Sequence, residues 1–189
     1  MPSLSHYDYG KRSFEGRRLR ADLDYGKSSR ETFSKAIARA KRKPRLIRTR
    51  GNHEYRLDKL SESDPKLDGV FTDAELGADA GGWETVPFLV PVVVDEICYS
   101  HYFCSGVKAQ PIGGQNTASN LIRLGLMSCV QGHSHTFDYA ERTREDGRKV
   151  LGMSVGCYFS HNLEYAGPAN AMYWRGIVVL HDVVDGYGQ

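Results

Sequence analysis

The order of apolar and turn-forming residues predicts a mixed α/β (α+β) fold. Three observations carry that expectation. A stretch of helical spacing around Phe33 gives way, after Pro44, to a short extended run. The region from Trp83 to Phe103 is rich in Val, Ile, Tyr and Phe and is broken by turn residues. The apolar run from Leu126 to Gln131 stops abruptly at Gly132.

Taken in order, Ser28-Ser29-Arg30-Glu31 has the capping-box pattern, and Phe33, Ile37 and Ala40 then recur at helical spacing until Pro44. This predicts a helix of about four turns. Leu46 to Thr49 reads as a strand ended by the turn residues Gly51-Asn52. Between Trp83 and Phe103, Pro87, Pro91 and the acidic pair Asp95-Glu96 divide the β-rich region into strands, with His101 at the far end of the last. Thr117 to Leu124 reads as a short helix leading into a buried strand, Leu126 to Gln131. Lys149 to Phe159 and Trp174 to Val184 are two further strand candidates, joined by a Gly/Pro/Asn loop from Tyr165 to Met172.

With 189 residues and 40% hydrophobic content, the chain suits one globular domain over residues 1–189. The longest apolar run, Val86 to Val94, holds two prolines and is far short of the ~20 residues of a bilayer crossing. The first ten residues are polar and aromatic, without the apolar stretch of a secretion signal, so a cytoplasmic location is expected. Cys98, Cys104, Cys129 and Cys157 lack Cys-x-x-Cys spacing and read as reduced thiols packed as small hydrophobes. Charge divides unevenly: residues 1–60 hold 17 Lys/Arg against 7 Asp/Glu, so the first third is strongly basic although the whole chain is only +2. Such a segment suits either a solvated helix face or a polyanion such as nucleic acid. No helix-turn-helix, zinc-finger or RNP pattern accompanies it.

The chemistry is concentrated in histidines at predicted strand ends. Asn52-His53 follows one strand, His101 ends another, and His133-x-His135 follows a third. Strand ends gathered at one sheet edge are a usual place for sites in α/β proteins. Neutral imidazoles and an amide oxygen suit borderline divalent cations such as Zn²⁺, Fe²⁺ or Mn²⁺. His6, His161 and His181 have no motif around them and read as surface or hydrogen-bonded histidines.

Gly51-Asn52-His53-Glu54, the lone His101 and Gly132-His133-Ser134-His135, in that order, resemble the calcineurin-like metallophosphoesterases. The likeness runs from about Ser3 to the C-terminus, includes Phe14 to Arg20, and is greatest to small phage and bacterial members. It implies a sandwich of two mixed β-sheets flanked by helices. It also implies that Asn52, His101 and His133 bind one metal and that His135 belongs to a second. His53 would protonate the leaving group or steady the phosphate, and Glu54 would orient the loop. The implied reaction is in-line attack of metal-activated water on a phosphoester, with a nucleotide or nucleic acid as one possible substrate.

The family's Asp-x-His and Gly-Asp motifs have no counterpart before Asn52, since His6-Tyr7-Asp8 runs in the wrong order and Asp22-Leu23-Asp24 reads as a solvated pair. The resemblance therefore implies an N-terminally truncated chain, one metal ion rather than two, and a partner chain or oligomer covering the edge of the missing strand. The alternative expectation is a catalytically impaired member that acts as a binding or regulatory module.

Overall fold

The structure is a computed structural model that describes residues 2–5, 9–76 and 82–188. His6-Tyr7-Asp8 lies outside the described residues. Helices and strands are mixed, and the chain divides into two compact units, Met1–Phe88 and Leu89–Gln189.

In the first unit, α1 spans Leu19–Ile37, β1 Leu46–Thr49, α2 Tyr55–Ser63 and β2 Trp83–Val86. The start of α1 corrects the expected capping box. Ser28-Ser29-Arg30-Glu31 lies within the helix, and there the Thr32 hydroxyl donates to the Ser28 carbonyl one turn back. The helix begins earlier because Leu19 and Leu23, one turn apart, face the same small core. Leu23 and Leu57 of α2 are fully buried there, with Leu4, Leu19 and Phe71 packed around them. Asp22-Leu23-Asp24 is therefore part of this helix: Leu23 is core, and Asp22 accepts hydrogen bonds from the Ser3 amide and hydroxyl. β1 is the strand expected from Leu46 to Thr49, and it runs parallel to β2 with Leu46 opposite Trp83. The Trp83 indole donates to the Ser34 hydroxyl at 3.0 Å, which ties β2 to α1.

The second unit is built on a five-stranded mixed sheet. Its strands are β3 (Val92–Val94), β4 (Ile97–Ser100), β7 (Ser128–Gln131), β8 (Phe137–Thr143) and β9 (Lys149–Val155), in the order β3-β4-β7-β9-β8. A two-stranded hairpin of β5 (Cys104–Ser105) and β6 (Gln110–Pro111) stands apart from it. β4, β7 and β9 are parallel to one another, whereas β3 and β8 run antiparallel at the two edges. Asp95-Glu96 makes the β3–β4 turn with both residues at positive φ, the twist that closes a two-residue hairpin.

Helix α3, Thr117–Gly125, lies directly on this sheet. A Cβ at Gly152 of β9 would stand 2.1 Å from the Ala118 carbonyl oxygen, so only glycine admits the helix at that depth. The Asn116 side chain does not cap α3; instead Asp138 of β8 accepts from the Ala118 amide at 2.8 Å. Ile97, Val130, Leu151 and Met153 form one buried cluster, and Cys98, Ile112, Leu121 and Cys129 another.

Two further expectations change. Trp174 to Val184 is not a strand: it makes only isolated bridges, Cys157 to Arg175 and Val184 to Tyr187. Val178, Leu180 and Val183 pack on the core while Ile177 and Val179 stay exposed. The period-two pattern is real, but among the described residues the segment has no ladder partner. The expected loop from Tyr165 to Met172 falls within a stretch of 3₁₀ turns, Glu164–Met172, kinked at Gly167. Among the described residues no helix is long and apolar enough to cross a membrane. All four cysteines are free, with Cys98 and Cys129 buried, Cys157 half-buried and Cys104 exposed.

Candidate functional site

The geometry starts from a row of polar residues. Ser100, Gln131 and Ser154 occupy matching positions at the C-terminal ends of β4, β7 and β9, and all three are buried. Buried polar groups must find partners, and these do so in the loops beyond the strand ends. The Ser100 hydroxyl donates to the Tyr102 carbonyl, and Gln131 accepts from the Phe103 amide while donating to the Ile112 carbonyl. The Ser154 hydroxyl donates to the Thr136 carbonyl. Each loop is thereby fixed within a residue or two of a strand end.

Those loops carry His101, His133 and His135 to one edge of the sheet, the C-terminal edge of its parallel strands. The Gly132 amide donates to the His101 carbonyl at 3.1 Å, which stitches the first two loops together. His133 Nδ1 and His101 Nε2 then stand 3.2 Å apart. Both His133 and His135 adopt left-handed backbone, φ 66° and 60°. That conformation costs a non-glycine residue roughly 1–2 kcal/mol, and such outliers cluster at functional sites. Tyr102 closes one side, its ring centroid 4.6 Å from that of His133.

Electrostatically, His133 and His135 both favour the neutral imidazole. Burial lowers His133 below its ordinary value, and burial, then the neighbouring His133, lowers His135. Burial also raises the Tyr102 hydroxyl. Neutral imidazole is the form that ligates cations. Two nitrogens on one tetrahedral ion, each about 2.0–2.1 Å from it, stand roughly 3.3 Å apart. The observed spacing therefore fits a shared cation as well as a hydrogen bond. Among the described residues no group of three or more His, Cys, Asp or Glu side chains gathers to hold a metal ion.

His135 turns to a different neighbourhood. Its ring meets Phe159 at 5.2 Å and Tyr173 at 4.8 Å, edge to face in both cases, and Phe159 also contacts His161. His161 is exposed, as expected of a surface histidine, and so is His181.

Asn52 and His53 belong to the first unit, in the turn between β1 and α2. The Glu54 carboxylate accepts from the Gly51 amide at 3.0 Å and closes that turn on itself. Asn52 is half-buried and His53 exposed. Arg50, beside the turn, pairs with Asp58 of α2 at 2.8 Å.

Sequence reasoning did not reach Tyr102, Gln131, Phe159, Tyr173 or Arg175. For Gln131 a signal existed, a polar residue closing an apolar run immediately before Gly132. Compared with known proteins, the chain matches no family model, no curated protein and no solved structure.

Proposed function

We propose that the chain is a metal-dependent phosphoester hydrolase, with the His101–His133 pair as the centre of its metal site. The observation that carries this reading is the pair itself: two imidazoles 3.2 Å apart, that of His133 lowered by burial, on loops pinned to neighbouring parallel strands. The resemblance supplies the rest, including the sandwich of two mixed sheets as the finer fold. By that resemblance Asn52 would be a further ligand, His135 would belong to a second cation position, and His53 would give a proton to the leaving-group oxygen. A Mn²⁺, Zn²⁺ or Fe²⁺ ion, when bound, supplies the charge that polarises the phosphoryl oxygens and acidifies a water ligand. Tyr102 packs on the His133 ring and restricts its rotation.

A second reading is favoured by one observation. No third His, Cys, Asp or Glu joins the histidine pair among the described residues, so no carboxylate or thiolate there would offset an ion's charge. The chain would then bind a metal or ligand without turnover.

One experiment separates the two. Purified protein loaded with Mn²⁺ is assayed on bis-p-nitrophenyl phosphate, alongside His133→Ala, His101→Ala and His53→Ala. The hydrolase reading expects chelator-sensitive turnover, lowered about a hundredfold or more by each ligand substitution and by loss of the proton donor. Metal bound at one ion per chain with no turnover establishes the binding reading instead.

A further inference from the structure

Beside His135 the chain assembles a cluster whose other members the metal chemistry does not use. His135, Phe159 and Tyr173 stand almost mutually perpendicular, at 84°, 82° and 89°. The guanidinium of Arg175 lies 6.0 Å from the Phe159 centroid and 5.9 Å from that of Tyr173, within cation–π range of both.

The backbone holds this arrangement in place. The Trp174 amide donates to the His135 carbonyl, the Cys157 amide to the Trp174 carbonyl, and the Gly176 amide to the Cys157 carbonyl. Three segments distant in sequence are thus joined at one point. Gly156, at φ +67°, allows the closeness: a Cβ there would lie 2.4 Å from the Trp174 carbonyl oxygen.

Arg20, Arg45, Arg50, Arg144 and Arg148 each meet a carboxylate, whereas Arg18 and Arg123 donate to neutral oxygens of their own helix or its approach. Arg175 differs from both groups in lying over two aromatic rings that also meet His135. Arg175 is exposed, and its one side-chain hydrogen bond among the described residues goes to the neutral amide oxygen of Asn162, at 3.0 Å. The cation is held by two ring faces and an amide, none of which neutralises it. A guanidinium has five N–H donors in a rigid fork suited to phosphate oxygens. Both rings, Phe159 and Tyr173, touch it and His135 alike.

We propose that Arg175, seated on Phe159 and Tyr173, binds a non-scissile phosphate of an oligonucleotide substrate. This inference rests on the hydrolase reading. It narrows the substrate to a phosphodiester that carries a second phosphate next to the one cleaved, with the aromatic rings available to the adjoining sugar or base.

The test compares a thymidine dinucleotide bearing a terminal phosphate, at the 5′ or the 3′ end, with the same dinucleotide bearing none. In the unaltered protein one phosphorylated form should have a KM about tenfold lower at similar kcat. Arg175→Gln should erase that preference and leave kcat on bis-p-nitrophenyl phosphate within about twofold, while Arg175→Lys should keep part of it. A preference that survives Arg175→Gln, or no preference in the unaltered protein, overturns the proposal.

A binding arm does not depend on turnover. Anisotropy of fluorescein-labelled oligothymidylate is followed in chelator, over a salt series, for the full chain, Arg175→Gln and the distant control Arg144→Gln. Arg175→Gln alone should weaken binding about tenfold and reduce the salt slope by about one. Equal loss from both variants, loss from neither, or competition by inorganic phosphate as effective as by the oligonucleotide overturns the proposal. Failure of the hydrolase reading alone would abolish turnover and leave the binding difference intact.

Discussion

Glu141 shows how a single carboxylate can couple fold stability to pH. Its Oε2 accepts from the Tyr187 hydroxyl at 2.6 Å and from the Tyr139 hydroxyl at 3.1 Å, and these bonds, Tyr187 first, lower it from its ordinary value of 4.5. A carboxyl with a lower value in the folded chain than in the unfolded one takes up protons preferentially on unfolding as the pH falls. Its contribution is therefore complete above 4.5 and is lost as the pH falls through the folded value. Urea midpoints measured from about pH 6 to about pH 3 should fall more shallowly for Tyr187→Phe than for the unaltered chain. Parallel curves would show that the hydroxyl contributes nothing to the coupling. Single residues also explain how legible the site was. His101, His133 and His135 were visible because their types and order carry a pattern, and the structure brings His101 and His133 together. Arg175 and Tyr173 were not, because their meaning comes from His135, some 40 positions earlier, and nothing local marks them. Arg175 looks like any other surface arginine until its lack of a carboxylate partner is seen among the described residues.

At the level of elements, the strands that could be read were the apolar runs bounded by turn residues. Leu46 to Thr49 and the apolar stretch ending at Gln131 became β1 and β7, and the β-rich region from Trp83 onward became β2, β3 and β4. Misreadings fell where local pattern and tertiary partner disagree. Ser28 to Glu31 is a good cap that the helix ignores because Leu19 and Leu23 find a core one turn and more before it. The edge strand β8 was missed since its exposed positions hold the aromatic Phe137 and Tyr139 while the half-buried Asp138 is charged, which inverts the usual alternation. Gln131 links the legible strand to the illegible loops. Gln131→Leu would leave the Phe103 amide and the Ile112 carbonyl without their buried partner. It should cost about 2–3 kcal/mol, read as a shift in the urea midpoint, and should speed hydrogen exchange at Phe103. An unchanged exchange rate there would mean that the loop after β4 is held by something other than this side chain. Gly152→Ala probes a different link, since its Cβ meets the backbone of α3. It should cost about 3 kcal/mol or more, and a near-neutral result would place α3 farther from β9 than described.

Across the whole molecule, apolar burial is distributed very unequally. The second unit contains both larger clusters, with Ile97, Leu121 and Leu151 among the fully buried side chains, and every residue packed against them lies between Cys98 and Tyr187 or is Ile97 itself. Among the described residues, the first unit's cluster has only Leu23 and Leu57 fully buried, although α1 alone is 19 residues long. Its surface is also where the basic charge lies, with 17 of the chain's 25 Lys/Arg in residues 1–60. Burying apolar area contributes about 25 cal/mol per Å², and ordering each residue opposes it by about 1–2 kcal/mol, so a long helix with a thin core has little stability of its own. Were residues 1–189 one cooperative domain, as the length suggests, deleting the first unit would unfold the rest. The clusters instead predict that a fragment of residues 89–189 folds alone, with a cooperative urea transition and slow exchange in β4, β7 and β9, while a fragment of residues 1–88 melts broadly. The same fragment bears on the site, because it keeps His101, His133 and the row Ser100, Gln131 and Ser154 that anchors their loops. It should still take up Mn²⁺ or Zn²⁺, more weakly than the full chain and with loss on His133→Ala, by equilibrium dialysis with elemental analysis. A folded fragment that binds no metal would show that the histidine pair cannot hold an ion by itself, and would move the ligand set toward Asn52 and the first unit.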